Sequence, residues 1–192
     1  MRVGVVVQPQ EPDAVEFAQA AEAIGVDSLW APEIWGYDAL TGLSYLAART
    51  TRIGLGTFVV QLGSRTPAML AGSALSLQQL SGGRFTLGIG VSGPAVMEGW
   101  HGVPFGKPVQ RTRETIDIVR MVMRGERLRY DGQEYRLPLP DSRGAGPASS
   151  SRTPVTSCAW GTCASPRASS CRTCGSPSRR GVRSPPTGRT RS

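Results

Sequence analysis

Residues 2–10 read RVGVVVQPQ, an apolar run rich in valine that stops at Gln8-Pro9-Gln10. A short continuous apolar run of this kind predicts a strand buried on both faces, as in a parallel sheet. How the run stops bears on two competing folds. A dinucleotide-binding doubly wound sheet follows its first strand with GxGxxG, and no such glycine pattern follows here. Moving outward, strand-like and helix-like stretches alternate. Residues 12–25 (PDAVEFAQAAEAIG) carry Ala, Val, Phe and Ile at helical spacing and end in glycine, a C-cap signal. SLWA at 28–31 predicts a second strand, and residues 38–50 a helix with Leu40, Leu43, Leu46 and Ala47 inward. RIGLGTFVV at 52–60 predicts a third strand, and residues 66–81 a helix facing inward with Met69, Leu70, Ala74, Leu77 and Leu80. RFTLGIGV at 84–91 is the fourth strand, and residues 110–124 the fourth helix, with Ile116, Val119 and Met123 inward. Asp131-Gly132, between Tyr130 and Tyr135, predicts a tight hairpin turn.

Consecutive β-α units imply a parallel sheet with right-handed crossovers. A full (β/α)8 barrel takes eight such units and about 250 residues. Residues 1–140 supply about four, so the pattern alone gives an α/β chain and leaves a doubly wound sheet and part of a barrel in competition.

Residues 141–192 have a different character. They are almost entirely Ser, Arg, Pro, Gly, Thr, Ala and Cys. Of 22 Lys/Arg and 14 Asp/Glu, 13 of each lie in residues 1–140, so the whole net charge of +8 falls in the last 52 residues. This tail lacks the apolar area to offset the entropy of ordering and is expected to be disordered. It resembles a GC-rich coding region read out of frame. All four cysteines lie in it, at 158, 163, 171 and 174. Their C-x4-C and C-x2-C spacings lack flanking apolar residues for a zinc knuckle, so no metal is expected. The nine tail arginines are not interleaved with aromatic platforms, so specific nucleic-acid binding is not expected either. No run reaches the roughly 20 apolar residues of a membrane span. The start, with Arg2 ahead of a strand-like run, does not read as a signal peptide, which makes the cytoplasm the expected location.

Four stretches together resemble the luciferase-like oxidoreductases, especially the branch that uses the deazaflavin coenzyme F420. They are WAPEIWGYDA (30–39), GLGTFVVQLGSRTPAMLA (54–71), LSGGRFTLGIGVSG (80–93) and EGWHGVPFGKP (98–108), in this order and spacing. The resemblance covers residues 1–140 and implies the first half (about four β-α units) of a (β/α)8 TIM-type barrel. It also implies redox chemistry on a small organic substrate, with coenzyme F420 or, alternatively, FMN as cofactor. Thr57-Phe58-Val59 falls where relatives carry a bulge, often with a cis peptide, that backs the flavin ring. Ser92 and Gly93 fall in the loop that meets the cofactor's phosphate-bearing side chain. Phe58, Val59, Ser92 and Gly93 are thus the expected cofactor contacts. Gly88 and Gly90 read as glycines that give room in a crowded barrel wall.

Two titratable residues stand out as catalytic candidates. Glu33 follows an apolar strand at the barrel mouth, where a carboxylate can act as acid or base. The plainer reading is a salt-bridged rim residue. Some deazaflavin enzymes carry histidine directly after this position, where this chain has Ile34, which weakens a dehydrogenase-type role. His101, the single histidine, lies in the loop after the fourth strand as a general acid or base or as a pocket-wall residue. With half a barrel, the chain is expected to be an impaired enzyme that self-associates through open strand edges. The non-enzymatic alternative is a half-barrel whose basic arm binds polyanions. Amide hydrogen exchange tests the tail: rapid exchange from about residue 144 onward is expected, and protection through Cys158–Cys174 would revive a metal site.

Overall fold

The computed structural model describes residues 1–139. The basic segment, its cysteine pairs and its expected disorder lie outside the described residues. Strand β1 (Gly4–Val6) is followed by α1 (Ala14–Ala23), β2 (Ser28–Ala31) and α2 (Ala39–Ala47). Helix α2 starts where Asp38 accepts the Thr41 N–H at 2.7 Å. Next come β3 (Gly54–Thr57), β4 (Val60–Gln61) and α3 (Pro67–Leu80). Thr66 caps α3 on the Met69 N–H at 3.3 Å, with proline at the first helical position. The chain continues through β5 (Phe85–Thr86), β6 (Ile89–Gly90), the short α4 (Pro94–Met97) and α5 (Pro108–Met123). It then forms β7 (Tyr130–Asp131) and β8 (Arg136–Leu137).

Four strands form one parallel sheet in the order β1-β2-β3-β5. This is chain order with no reversal, unlike a doubly wound sheet. Leu29, Ala31, Leu55 and Phe85 join one buried cluster with Ala18, Leu43, Leu46, Leu70, Ala74 and Leu77 of helices α1 to α3. Strand side chains alternate across a sheet, so Gly4, Val6, Trp30, Gly56 and Thr86 share the opposite face. There Trp30 lies across two strands. A Cβ on Gly4 would meet its Nε1 at 2.6 Å, and one on Gly56 its Cζ3 at 2.4 Å. The indole N–H donates to Ser28 Oγ at 2.9 Å.

The structure corrects several expectations. The first strand is not buried on both faces: Val6 is 55% exposed because no described residue covers the Trp30 face. Helix α1 buries Ala14, Ala18 and Ala21 while Phe17 and Ile24 are exposed, since small side chains let the helix approach the sheet closely. Met69 and Leu80 of α3 are exposed, and α5 turns Ile118 inward with Val119, leaving Ile116 half-buried. The third and fourth strands are each interrupted, β3 from β4 and β5 from β6, and β4 and β6 resume as a second parallel pair. At the interruption Thr57 Oγ1 donates to the Gly88 carbonyl and accepts the Gly88 N–H, both at 2.8 Å, in place of ladder bonds.

The expected hairpin is present. Strands β7 and β8 pair antiparallel, Asp131 opposite Arg136, with Gly132–Tyr135 as the connection. The buried Glu114 of α5 holds that loop. Its carboxylate accepts the N–H groups of Gln133 (2.8 Å), Glu134 (3.0 Å) and Tyr135 (2.9 Å), and the Gln110 amide at 2.7 Å. The loop is wound around an anion, and a Cβ on Gly132 would meet Glu114 Oε2 at 2.3 Å. Burial opposes ionisation of Glu114, but these donors outweigh it and hold its carboxyl below the usual range. Glu22 does similar work between α1 and β3. It accepts the N–H groups of Thr51, Arg52 and Ile53, which outweigh burial and lower its pKa to about 2.

Both carboxyls titrate lower in the folded chain than in the unfolded one. Their contribution to stability is therefore complete above the unfolded value of about 4.3 and fades as pH falls through the folded values. Urea unfolding should show a midpoint that drops between about pH 4.3 and about 2. Glu114→Ala, which strands three loop N–H groups, should cost about 2–4 kcal/mol at neutral pH with an unchanged m value and make the acid-induced drop shallower. A variant as stable as the wild type would show that the loop does not depend on this anion.

Candidate functional site

Parallel strands of a β-α fold deliver their C-terminal ends to one side, and the loops leaving them form the site. Glu33 lies two residues beyond β2, and Gln61 ends β4. His101 follows the short α4, which comes soon after β6. Together with Ile34, Tyr37, Asp38, Arg65 and Trp100 they line a cleft of about 160 Å³. The Trp35 and Trp100 rings meet edge to face beside it, centroids 6.2 Å apart, and both are exposed.

Glu33 is the anchor of this cleft. Arg65 grips it with two parallel bonds, Nη1 to Oε1 and Nη2 to Oε2, each 2.8 Å. The Ala39 N–H adds a bond to Oε2 at 3.1 Å. Arg65 also pairs with Asp38. Its hydrogen bonds to Glu33, opposed by burial, push the Arg65 pKa further up. Burial works against ionisation of Asp38, but the Thr41 hydroxyl and N–H and the Arg65 charge hold its carboxyl below the usual range. The fork-to-fork geometry and the side-chain exposures of 18% for Arg65 and 9% for Glu33 mark a desolvated, oriented pair. Glu33 thus positions Arg65 and the start of α2. The plainer sequence reading, a salt-bridged residue at the rim, matches this geometry better than a free acid or base.

His101 enters the same cleft through Gln61, with Nε2 at 3.1 Å from Gln61 Oε1. The Gln61 amide nitrogen donates to the backbone carbonyls of Glu33 at 3.1 Å and Ile34 at 2.5 Å. Glu33 and His101, the two catalytic candidates, are therefore brought to one place, linked by Gln61. Arg65, Asp38 and Gln61 were not singled out from sequence. Arg65 sits in Gly63-Ser64-Arg65-Thr66-Pro67, a turn ahead of a capped helix, and a cation there facing a carboxylate after the preceding strand is the signal that could have found it.

The four expected cofactor contacts lie on two adjacent segments, Phe58 and Val59 just ahead of β4 and Ser92 and Gly93 just past β6. The Phe58-Val59 peptide is cis and joins β3 to β4. Pairing of β4 with β6 sets Val60 opposite Ile89 and leads directly into Ser92 and Gly93. Gly88 and Gly90 provide the room for this: a Cβ on Gly90 would meet Val59 Cγ2 at 2.4 Å, and one on Gly88 the Thr57 carbonyl oxygen at 2.1 Å. Phe58 is 62% exposed. Ser92 has φ 60°, the sole non-glycine residue with positive φ among the described residues. Among the described residues the backbone N–H groups of Ser92 and Gly93 have no hydrogen-bond partner. A loop of unpaired N–H donors beside an exposed aromatic ring has the chemistry to receive an anionic group and a flat ring system together. Among the described residues no cluster of His, Cys, Asp and Glu could hold a metal ion, and no helix is long and apolar enough to cross a membrane.

Replacing Arg65 by Met should leave the Glu33 carboxylate without its cation in a mostly closed site. A loss of about 2–3 kcal/mol is expected, read from thermal or urea midpoints. Combining it with Glu33→Gln should recover part of the loss. Additive losses in the double variant would show that the pair is not coupled.

Comparison with known proteins agrees with this geometry. The family model described as luciferase-like monooxygenase matches residues 1–167, past the end of the described residues. A Mycobacterium tuberculosis protein assigned by name to the coenzyme F420-dependent oxidoreductases is 51% identical over 133 residues, 69% of this chain and 38% of that protein. The coenzyme F420-dependent tetrahydromethanopterin reductase of Methanopyrus kandleri superposes with a TM-score of 0.63 at 22% identity, covering 70% of this chain and 44% of that one. A type II Baeyer–Villiger monooxygenase from Pseudomonas putida, solved with FMN, gives a TM-score of 0.61 at 21% identity, over 71% of this chain and 43% of that one. The chain spans less than half the length of each of these proteins. The α/β fold with its parallel sheet matches these luciferase-like barrel neighbours, and the chain belongs to the luciferase-like monooxygenase family, a family of enzymes.

Proposed function

We propose that this chain carries the cofactor-facing half of a flavin-type oxidoreductase, with coenzyme F420 as the preferred cofactor and FMN as the alternative. The observation that carries this reading is the pairing of β4 with β6, which seats Val59 against Gly90 between Phe58, ahead of β4, and Ser92 and Gly93, past β6. The relative at 51% identity, named for coenzyme F420, favours the deazaflavin. The residues fit such a group. Ser92 and Gly93 would meet its phosphate-bearing chain, and Phe58 and Val59 would back one face of its ring. Once bound, the cofactor supplies hydride transfer or, for FMN, oxygen activation. The protein's part is to orient the ring, to present the Glu33–Arg65 and Gln61–His101 groups to a small organic substrate, and to exclude water.

Water exclusion is where this chain falls short. Phe58, Trp35, Tyr37 and Trp100 are all exposed, although the two tryptophan rings meet edge to face. We read the chain as the first half of a (β/α)8 barrel that binds its cofactor from one side and works as an impaired enzyme. Among the described residues strand β1 pairs on one edge alone, and such an edge favours self-association.

Fluorescence titration of the purified chain with oxidised and reduced coenzyme F420 and with FMN tests this. Binding with a dissociation constant of roughly 0.1–1 mM is expected, a few kcal/mol weaker than a micromolar site, and Phe58→Ala should weaken it further. Saturable micromolar binding with substrate-dependent turnover by the monomer would overturn the impaired reading. No response to either cofactor at millimolar concentration would overturn the cofactor assignment.

A further inference from the structure

We infer that Gln61 is a positioning residue that holds His101 as the Nε2–H tautomer, so that Nδ1 is the nitrogen left to accept a proton from a ligand in the cleft. The inference deepens the functional reading above and rests on it for the identity of the ligand.

The orientation of Gln61 is forced by its surroundings. The side chain is nearly fully buried, at 4% exposure, and one end faces two backbone carbonyls, those of Glu33 and Ile34. Carbonyl oxygens only accept hydrogen bonds, so the group facing them must be the amide NH2. A flipped amide would set oxygen against two oxygens in a buried site. The amide oxygen therefore faces His101 Nε2, 3.1 Å away, and can only accept. Nε2 must then carry the proton. In a neutral imidazole the other nitrogen is the one with the free lone pair. Nδ1 has no hydrogen-bond partner among the described residues, while His101 lines the cleft.

Two carbonyls of the 33–34 segment thus dictate the protonation of a ring 67 residues away in sequence from Ile34. The segment is itself held by the bidentate Arg65 pair on Glu33. The ligand chemistry this selects is an N–H or O–H donor placed at Nδ1. Transfer of that proton makes His101 an imidazolium with both nitrogens protonated and leaves the electron pair on the ligand heteroatom. That would suit a substrate hydroxyl whose proton passes to His101 Nδ1, while a bound oxidised cofactor would supply the hydride acceptor needed for the C–O bond to become a carbonyl.

His101 is the only histidine in the chain, so its imidazole nitrogens can be observed without assignment ambiguity. Long-range 1H–15N spectra of the cofactor-free chain, recorded near pH 8.5 (about two units above the ordinary imidazole value), read the tautomer directly. The expected result is a protonated Nε2 whose proton exchanges slowly enough to be seen, and loss of that protected signal in Gln61→Met. A protonated Nδ1 would overturn the inference. So would a wild-type Nε2 proton that exchanges as fast as free histidine, or a Gln61→Met spectrum unchanged from wild type. Should the variant fail to fold, the wild-type spectrum alone decides both tautomer and protection. The experiment contains no cofactor, so its failure is separate from failure of the cofactor assignment, which the titrations test.

Discussion

Trp30 lying between Gly4 and Gly56 is the constraint from which the rest of this structure follows. The indole occupies the volume that a side chain at either glycine would need. It can lie there because β1, β2 and β3 are in parallel register, with Val6 opposite Trp30 and Trp30 opposite Gly56. A large planar side chain lying over two glycines leaves that face uncovered by the helices α1 to α3. Leu29, Ala31 and Leu55 are then committed to the helices by strand alternation. The strand ends, and every residue of the site, are placed by that choice.

Carboxylates hold the loops that the sheet leaves open. Glu22, Glu33 and Glu114 each accept backbone N–H groups from a distant segment, and Glu33 adds an arginine. A carboxylate has room for about four hydrogen bonds, so a single side chain can satisfy a whole turn of backbone donors. The same device serves two ends. At Glu22 and Glu114 it fixes connections that carry no chemistry. At Glu33 it fixes the segment whose carbonyls orient Gln61 and, through it, His101. Stability and site geometry are thus built from one kind of interaction, distinguished by what lies on the far side of the anchored loop.

The cofactor wall works by subtraction. Thr57 replaces ladder bonds with its hydroxyl where the strands break, and Gly88 and Gly90 clear the space that Val59 fills. This lets β4 and β6 resume pairing beyond the break, with Phe58 entering β4 and Ser92 leaving β6. The exposed aromatic rim of Trp35, Tyr37, Phe58 and Trp100 is the complement of that wall: apolar area gathered at the strand ends and left exposed.

The sequence by itself determined the alternation of β and α segments, the parallel sheet in chain order, the glycine room at 88 and 90, and the family. Each is written locally, in hydrophobic period, in caps such as Asp38 and Thr66, or in short motifs. It misjudged which helix faces turn inward, because Phe17, Met69 and Leu80 obey the apolar pattern while closeness of packing favours alanine at the contact. It marked the turn at Asp131-Gly132 but not what holds it, because turn propensity does not register a buried glutamate on another element. The tertiary structure alone decided that Glu33 meets Arg65 across 32 residues and that Gln61 meets His101 across 40. Such pairs leave no periodic trace in a sequence, since a hydrogen bond depends on where the fold sets two loops and not on the residues that flank either one.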